Sequence, residues 1–150
     1  MISGYDKKYK DDFINLNRAW IEKMFRLEAE DIKSFELIDY KISNGANIYF
    51  NIENSKVIAC EMIEPLSSDV YELSKVAAIN QGSKKGASYP LIEECIKYAK
   101  SKNAKRIDII TNTKCEAAIH VYEKFGFVRV ENENLSKVFK RGNYFMSLYL

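Results

Sequence analysis

Asn112-Thr113-Lys114-Cys115-Glu116-Ala117-Ala118-Ile119-His120-Val121-Tyr122-Glu123-Lys124-Phe125-Gly126-Phe127 is the stretch on which the reading of the fold turns. Cys115 to Phe125 carries apolar residues at helical spacing, and Gly126 sits where a helix ends in the left-handed conformation that glycine adopts without strain. Upstream, Arg106 to Ile110 reads as a strand. Downstream, Phe127 to Val130 and Tyr144 to Leu150 read as two more. Before the first of these, Ala87 to Lys102 is a helix with the apolar stripe Ile92, Cys95, Ile96 and Ala99, and Pro90 falls in its first turn, where no amide is needed. Strand-helix-strand units of this kind call for parallel pairing in part of a sheet.

The N-terminal half has another rhythm. Tyr9, Phe13, Leu16, Trp20 and Met24 recur at steps of four and three, one face of an amphipathic helix that Asp6 is placed to cap. A second helix is expected over Asp31 to Ile42, ended by Asn44-Gly45. Ile48 to Ile52, Val57 to Ile63 and Val70 to Ala78 then read as strands joined by short turns at Asn54-Ser55 and Ser67-Ser68-Asp69, which makes an antiparallel meander. The sum is an α/β fold, a mixed sheet with helices on both faces, expected to be one domain over residues 1–150.

Composition narrows the function. The chain has 150 residues, 47% hydrophobic and 29% charged, as in globular domains, and a formal net charge of only +2 gives no electrostatic case for nucleic acid or membrane partners. No run approaches the roughly 18 apolar residues of a membrane span, and Met1 to Lys10 has no signal-peptide core. The three cysteines are widely spaced, which suits free thiols in a reducing cytoplasm, and with one histidine the chain offers no usual metal site and no serine-histidine triad motif.

Chemistry is expected where the third meander strand, Tyr71-Glu72-Leu73-Ser74-Lys75-Val76-Ala77-Ala78, runs through a loop rich in Gly, Ser and Lys into the helix after Gly86-Ala87-Ser88. Free amides and the dipole at a helix start attract phosphate, Lys84 and Lys85 add charge, and Gly86 lets backbone approach a ligand.

The segment from Ala118 to Phe127 resembles the second core motif of the GNAT superfamily of N-acetyltransferases, approximately A-I-x-L-Y-x-K-x-G-F. Ala118, Ile119, Tyr122, Lys124, Gly126 and Phe127 fill it, with Val121 in the place of Leu. The phosphate loop of that family, roughly Q/R-x-x-G-x-G/A, is similar to Ser83-Lys84-Lys85-Gly86-Ala87-Ser88; a second register starts at Gln81 but puts Lys84 at the first glycine. The opening of the third strand, the segment Leu16 to Lys23 and Arg141-Gly142-Asn143 also resemble one bacterial branch of the superfamily, with a stub around Ile2 as its first strand.

The resemblance implies acetyl-CoA as co-substrate, held in a V-shaped gap between splayed parallel strands, Glu72 to Ala78 and Arg106 to Ile110. It implies pantetheine contacts from Val76, Ala77 and Ala78, pyrophosphate contacts across Ser83, Lys84, Lys85, Gly86, Ala87 and Ser88, and cofactor contacts from Asn112, Cys115, Ala118 and Tyr122. A substrate amine would attack the thioester directly, with a backbone amide near Val76 or Ala78 stabilising the oxyanion. Tyr122 matches the usual general acid and Glu72 a position used as base, with Glu61 on the neighbouring strand a second carboxylate in view. His120 and Cys95 read as structural. Ser83, Ser88 and Cys115 depart from the family pattern and support an alternative, a non-catalytic domain binding CoA or a protein partner. A third reading, a nucleotide-phosphate binder, rests on Lys84-Lys85-Gly86 alone. The partners expected are acetyl-CoA and an amine acceptor, and the apolar terminal strand, expected at a sheet edge, is a candidate homodimer contact.

Overall fold

The computed structural model describes residues 1–79, 86–131 and 141–150. Seven strands form one sheet in the order β1-β2-β3-β4-β5-β7-β6. They are β1 (Ile2–Ser3), β2 (Asn47–Glu53), β3 (Lys56–Pro65), β4 (Val70–Ala78), β5 (Arg106–Thr111), β6 (Val128–Val130) and β7 (Tyr144–Tyr149). The helices are α1 (Lys10–Met24), α2 (Ala29–Glu36), α3 (Ile38–Ser43), α4 (Tyr89–Ser101) and α5 (Glu116–Lys124). The meander and the β-α-β-α-β half both fall where the periodicity places them. Asn54 and Ser55 take positive φ values of 50° and 63°, the two-residue turn that matches the twist of a hairpin.

Four expectations are corrected. The helix over Asp31 to Ile42 is two helices, because Leu37 leaves the helical region at φ −95° and ψ 7° and its amide is shared by the carbonyls of Lys33 and Ser34. The buried line of α1 is Phe13, Asn17 and Ile21, while Met24 is exposed. Asn17 can be buried because its amide donates to the Phe13 carbonyl at 3.0 Å and to the Cys60 sulfur at 3.6 Å. Asp6 caps a 3₁₀ turn, Lys7–Tyr9, that leads into α1, accepting from the Lys8 amide. The terminal strand β7 is not an edge: it lies between β5 and β6, so the basis given for a homodimer contact is absent.

The sheet separates two apolar layers. On one face Phe13, Ile21, Phe35 and Ile38 pack against Ile48, Phe50, Cys60 and Met62. On the other, Ile92, Cys95 and Ala99 of α4 and Ile119 and Tyr122 of α5 pack against Ile63, Tyr71, Leu73, Ile107 and Ile109. Helix α5 closes with the Gly126 amide bonded to the Glu123 carbonyl and the Phe127 amide to the Tyr122 carbonyl, Gly126 taking φ +97°. This six-to-one, five-to-two pattern brings the ring of Phe127 to 5.9 Å from that of Tyr122. The spacing of Tyr122, Gly126 and Phe127 is therefore one structural unit.

Candidate active site

β4 and β5 run parallel and are paired only from Val70↔Arg106 to Leu73↔Ile109. Past that point Ser74 to Ala78 stay on β3 while Ile110 and Thr111 stay on β7, so the two strands part and a gap opens between them. Opposite the opening, Met62 pairs with Ser74 but Cys60 with Ala77, so Lys75 and Val76 together face Glu61. That is a β-bulge, and Lys75 takes φ +55°, unusual for a residue with a side chain.

A cavity of about 330 Å³ opens at the split, walled by α1, α2, the end of β3, the bulge of β4, the end of β5 and Arg141-Gly142. Glu72, Val76 and Asn112 of the expected site line it, together with Trp20 and Lys75. A shallower hollow of about 410 Å³ between α4, Phe125 and the end of β7 contains none of the expected site residues.

Glu72 stands in a row of carboxyls. Its pairing partners are Glu64 on β3 and Asp108 on β5. Glu64 is ion-paired with Lys41 at 3.1 Å. Asp108 accepts two bonds from Arg106, at 2.8 and 3.0 Å, and one from Ser147 at 2.6 Å. Glu72 in the middle receives no hydrogen bond among the described residues. Burial, and then the charge of Glu64, push its pKa up to about 7, against the pull of Lys75 and Lys41. A carboxyl poised there can take a proton near neutral pH.

The sheet's alternation puts Tyr122 elsewhere. Tyr71 and Leu73 point to the layer that contains Tyr122, so Glu72 between them points the other way. Tyr122 is buried, and burial followed by the charges of Glu61 and Cys115 raises its phenol well above the ordinary value, which keeps it protonated. Glu61 also lies on the Tyr122 side, because Cys60 and Met62 flanking it face α1. It does not line the cavity, and it is fully buried.

The start of α4 holds Gly86, Ala87 and Ser88. No hydrogen bond among the described residues uses their amides. Gly86 takes φ +92°, and a Cβ there would meet nothing within 4 Å, so the backbone borders open space. The buried Asn51 fixes this turn by donating to the Ala87 carbonyl at 3.0 Å, a role with no signal in the sequence. Ser83, Lys84, Lys85 and Gln81 lie outside the described residues. Ala77 is buried in the core and Ala78 partly so. Cys115 is the N-cap residue of α5 without a capping side-chain bond, and Ala118 packs partly buried on the core. His120 is exposed on α5, and Cys95 is fully buried, as its stripe predicts.

Asn112 is committed to structure. Its amide donates to the Arg141 carbonyl at 2.6 Å and its oxygen accepts from the Lys114 amide at 2.9 Å, so both ends of the side chain hold the turn after β5 where it borders the cavity. The residues missed by sequence reasoning are charged: Asp31, Arg141 and Lys75 meet at the cavity wall. The one local signal was the spacing of Glu28 and Asp31, since Asp31 accepts from the Glu28 amide as the third residue of a capping box does.

No helix among the described residues is long and apolar enough to cross a membrane. Among the described residues no group of three His, Cys, Asp or Glu side chains could hold a metal ion.

Residues 13–127 match the sequence profile of the Acetyltransferase (GNAT) family. A search of curated protein sequences gives no match. Among solved structures, a GNAT-family acetyltransferase from Staphylococcus aureus Mu50 superposes with a TM-score of 0.84 at 19% identity, over 99% of this chain and 98% of that one. An acetyltransferase from Streptococcus agalactiae gives 0.84 at 18% identity, over 100% and 98%. A GNAT-family acetyltransferase from Elizabethkingia anophelis with acetyl-CoA bound gives 0.66 at 18%, over 100% and 97%.

Proposed function

The chain belongs to the Acetyltransferase (GNAT) family, and on that premise we propose that residues 1–150 act as one N-acetyltransferase domain, moving an acetyl group from acetyl-CoA to a primary amine in the cytoplasm. The observation that carries this reading is the split between β4 and β5 with an unbonded carboxyl of raised pKa in the cavity beside it.

The residues present fit the co-substrate. Beyond the split, the edge of β4 at Ser74, Val76 and Ala77 can pair with the amides of a pantetheine arm. The amides of Gly86, Ala87 and Ser88 make no hydrogen bond among the described residues just ahead of α4, where the helix dipole favours a pyrophosphate. Lys84 and Lys85, outside the described residues, would add charge to the same loop. When bound, acetyl-CoA supplies an acyl group activated as a thioester.

The protein's own groups manage protons and charge. Glu72 takes the proton that an ammonium must lose before its nitrogen can attack. Tyr122 holds its proton at neutral pH and gives it to the departing sulfur from the other face of β4. The amide of Val76, at the bulge, meets the negative charge that develops on the acyl oxygen. Base and acid on opposite faces suit a substrate threaded through the gap between them.

Two measurements test this. Calorimetric titration with acetyl-CoA is expected to show binding, and a thiol-release assay across an amine panel is expected to find an acceptor. Binding without thiol release from any amine would favour the CoA-binding, non-catalytic reading. With an acceptor in hand, kcat at saturating amine is expected to rise to a plateau above about pH 7 as Glu72 ionises. Glu72→Gln is expected to lower kcat about 10²-fold and remove that limb. An unchanged profile would reassign the base.

A further inference from the structure

Three walls of the cavity converge on one side chain. Asp31, in the first turn of α2, has no exposed surface. Its Oδ2 accepts from the Glu28 amide at 2.8 Å and from Arg141 Nη1 at 2.9 Å. Its Oδ1 accepts from Arg141 Nη2 at 2.5 Å and lies 3.8 Å from Lys75 Nζ. The same Arg141 Nη1 reaches Glu28 Oε2 at 3.0 Å, and the Arg141 carbonyl receives the side chain of Asn112 at the end of β5. One buried carboxylate thus touches α2, the segment leading into β7, and the bulge of β4.

The contact with Lys75 is the informative one. Lys75 is the bulge residue with the left-handed backbone, and the next residue is Val76. An extra residue in a strand can be accommodated at neighbouring positions of the ladder, so something must select this one. Buried ion pairs are poor sources of net stability, because desolvation offsets their attraction, and their best-attested use is to fix one geometry among several. Burial pushes the Asp31 pKa up, but the hydrogen bonds from Arg141 and the Glu28 amide, with the charges of Arg141 and Lys75, outweigh it and hold the carboxyl below its usual range. The carboxylate is therefore present as an anion at neutral pH.

We propose that Asp31 is a positioning residue for acetyl transfer: through Lys75 it holds the β4 bulge, and with it the Val76 amide, in the orientation that faces the acyl oxygen. Through Arg141 the same carboxylate ties the acceptor-side wall to that point. The inference rests on the acetyltransferase reading for its chemistry, but the anchoring of the bulge stands on the contacts alone.

The test uses Asp31→Asn, Lys75→Met and the double variant of the full chain. Asp31→Asn keeps the shape and an acceptor for the Glu28 amide. Lys75→Met keeps the stem and leaves Asp31 with Arg141, so it carries the test if Asp31→Asn does not fold. Each single variant is expected to lower kcat about tenfold or more with less than a twofold change in KM for acetyl-CoA. The double variant is expected to be no slower than the slower single, since both act through one contact. Lys75→Arg, which restores a cation, is expected to recover most of kcat. Wild-type kcat in Lys75→Met, or losses that multiply in the double variant, would overturn the proposal. If the wild type transfers no acetyl group to any amine, the acetyltransferase reading fails. Hydrogen exchange at Val76 then decides the anchor separately: faster exchange in Lys75→Met supports it, and unchanged exchange refutes it.

Discussion

Glu61 and Glu72 stand on adjacent strands, and both have raised pKa values, yet they differ in what they can do. Glu72 borders the cavity and can exchange its proton with a ligand. Glu61 is enclosed on the other face, and neither of its oxygens has a hydrogen-bond partner among the described residues. Burial alone pushes its pKa well above the ordinary value, so it resists ionisation more than a solvated carboxyl does. Below the ordinary carboxyl pKa, wild type and Glu61→Gln are both neutral there, folded or unfolded. As pH rises past that value the unfolded wild-type chain ionises and gains free energy that the folded chain cannot match until its own higher pKa. Wild type is therefore expected to lose stability relative to Glu61→Gln by up to about 1.4 kcal/mol for each pH unit. Urea unfolding at pH 4.5 and 7.5 measures this, and parallel pH dependences would contradict it. Glu72 is legible in the sequence because its place on the third meander strand matches a position used as base in some branches of the resembled family. It missed the partners of Asp31, because Arg141 is 110 residues away and a buried Asp in an acidic run looks solvated. Burial of a charge is written in long-range contacts, which periodicity does not carry.

At the scale of elements, the close of α5 explains why its residues are legible. The amides of Gly126 and Phe127 satisfy the carbonyls of Glu123 and Tyr122 in a fixed spacing, and that spacing is visible in the chain. A side chain at Gly126 meets two penalties: the backbone stands at φ +97°, and a Cβ would sit 3.3 Å from Leu148 Cδ1. Gly126→Ala is expected to destabilise the protein by about 1–2 kcal/mol, read as a lowered Tm in thermal unfolding. An unaltered Tm would show that the turn relaxes without strain. The break between α2 and α3 was not legible, because Leu37 is neither Gly nor Pro and no local rule forbids a helix through it. The same holds for Asn17, whose burial an apolar count passes over.

At the scale of the whole molecule, strand positions were readable but part of their order was not. Short turns dictate which strands of the meander are neighbours. Nothing local says that β7 enters between β5 and β6 rather than beside one of them. An interior strand has every amide bonded to one side or the other, and Met146 pairs with Ile109 on β5 and Arg129 on β6. Met146→Pro removes one of those bonds and is expected to cost about 3 kcal/mol or more. Loss of the cooperative transition in denaturant would register it, and a full-height transition near the wild-type midpoint would place β7 at an edge after all.

That insertion has a consequence in time. β5 and β6 are joined only through β7, so while the chain folds there is a slot between them until that strand docks. Until Tyr144 to Tyr149 arrives, the edges of β5 and β6 that it will pair are open to any extended segment. A short peptide copying β7, supplied during refolding, would compete for that slot and not for any surface of the finished protein.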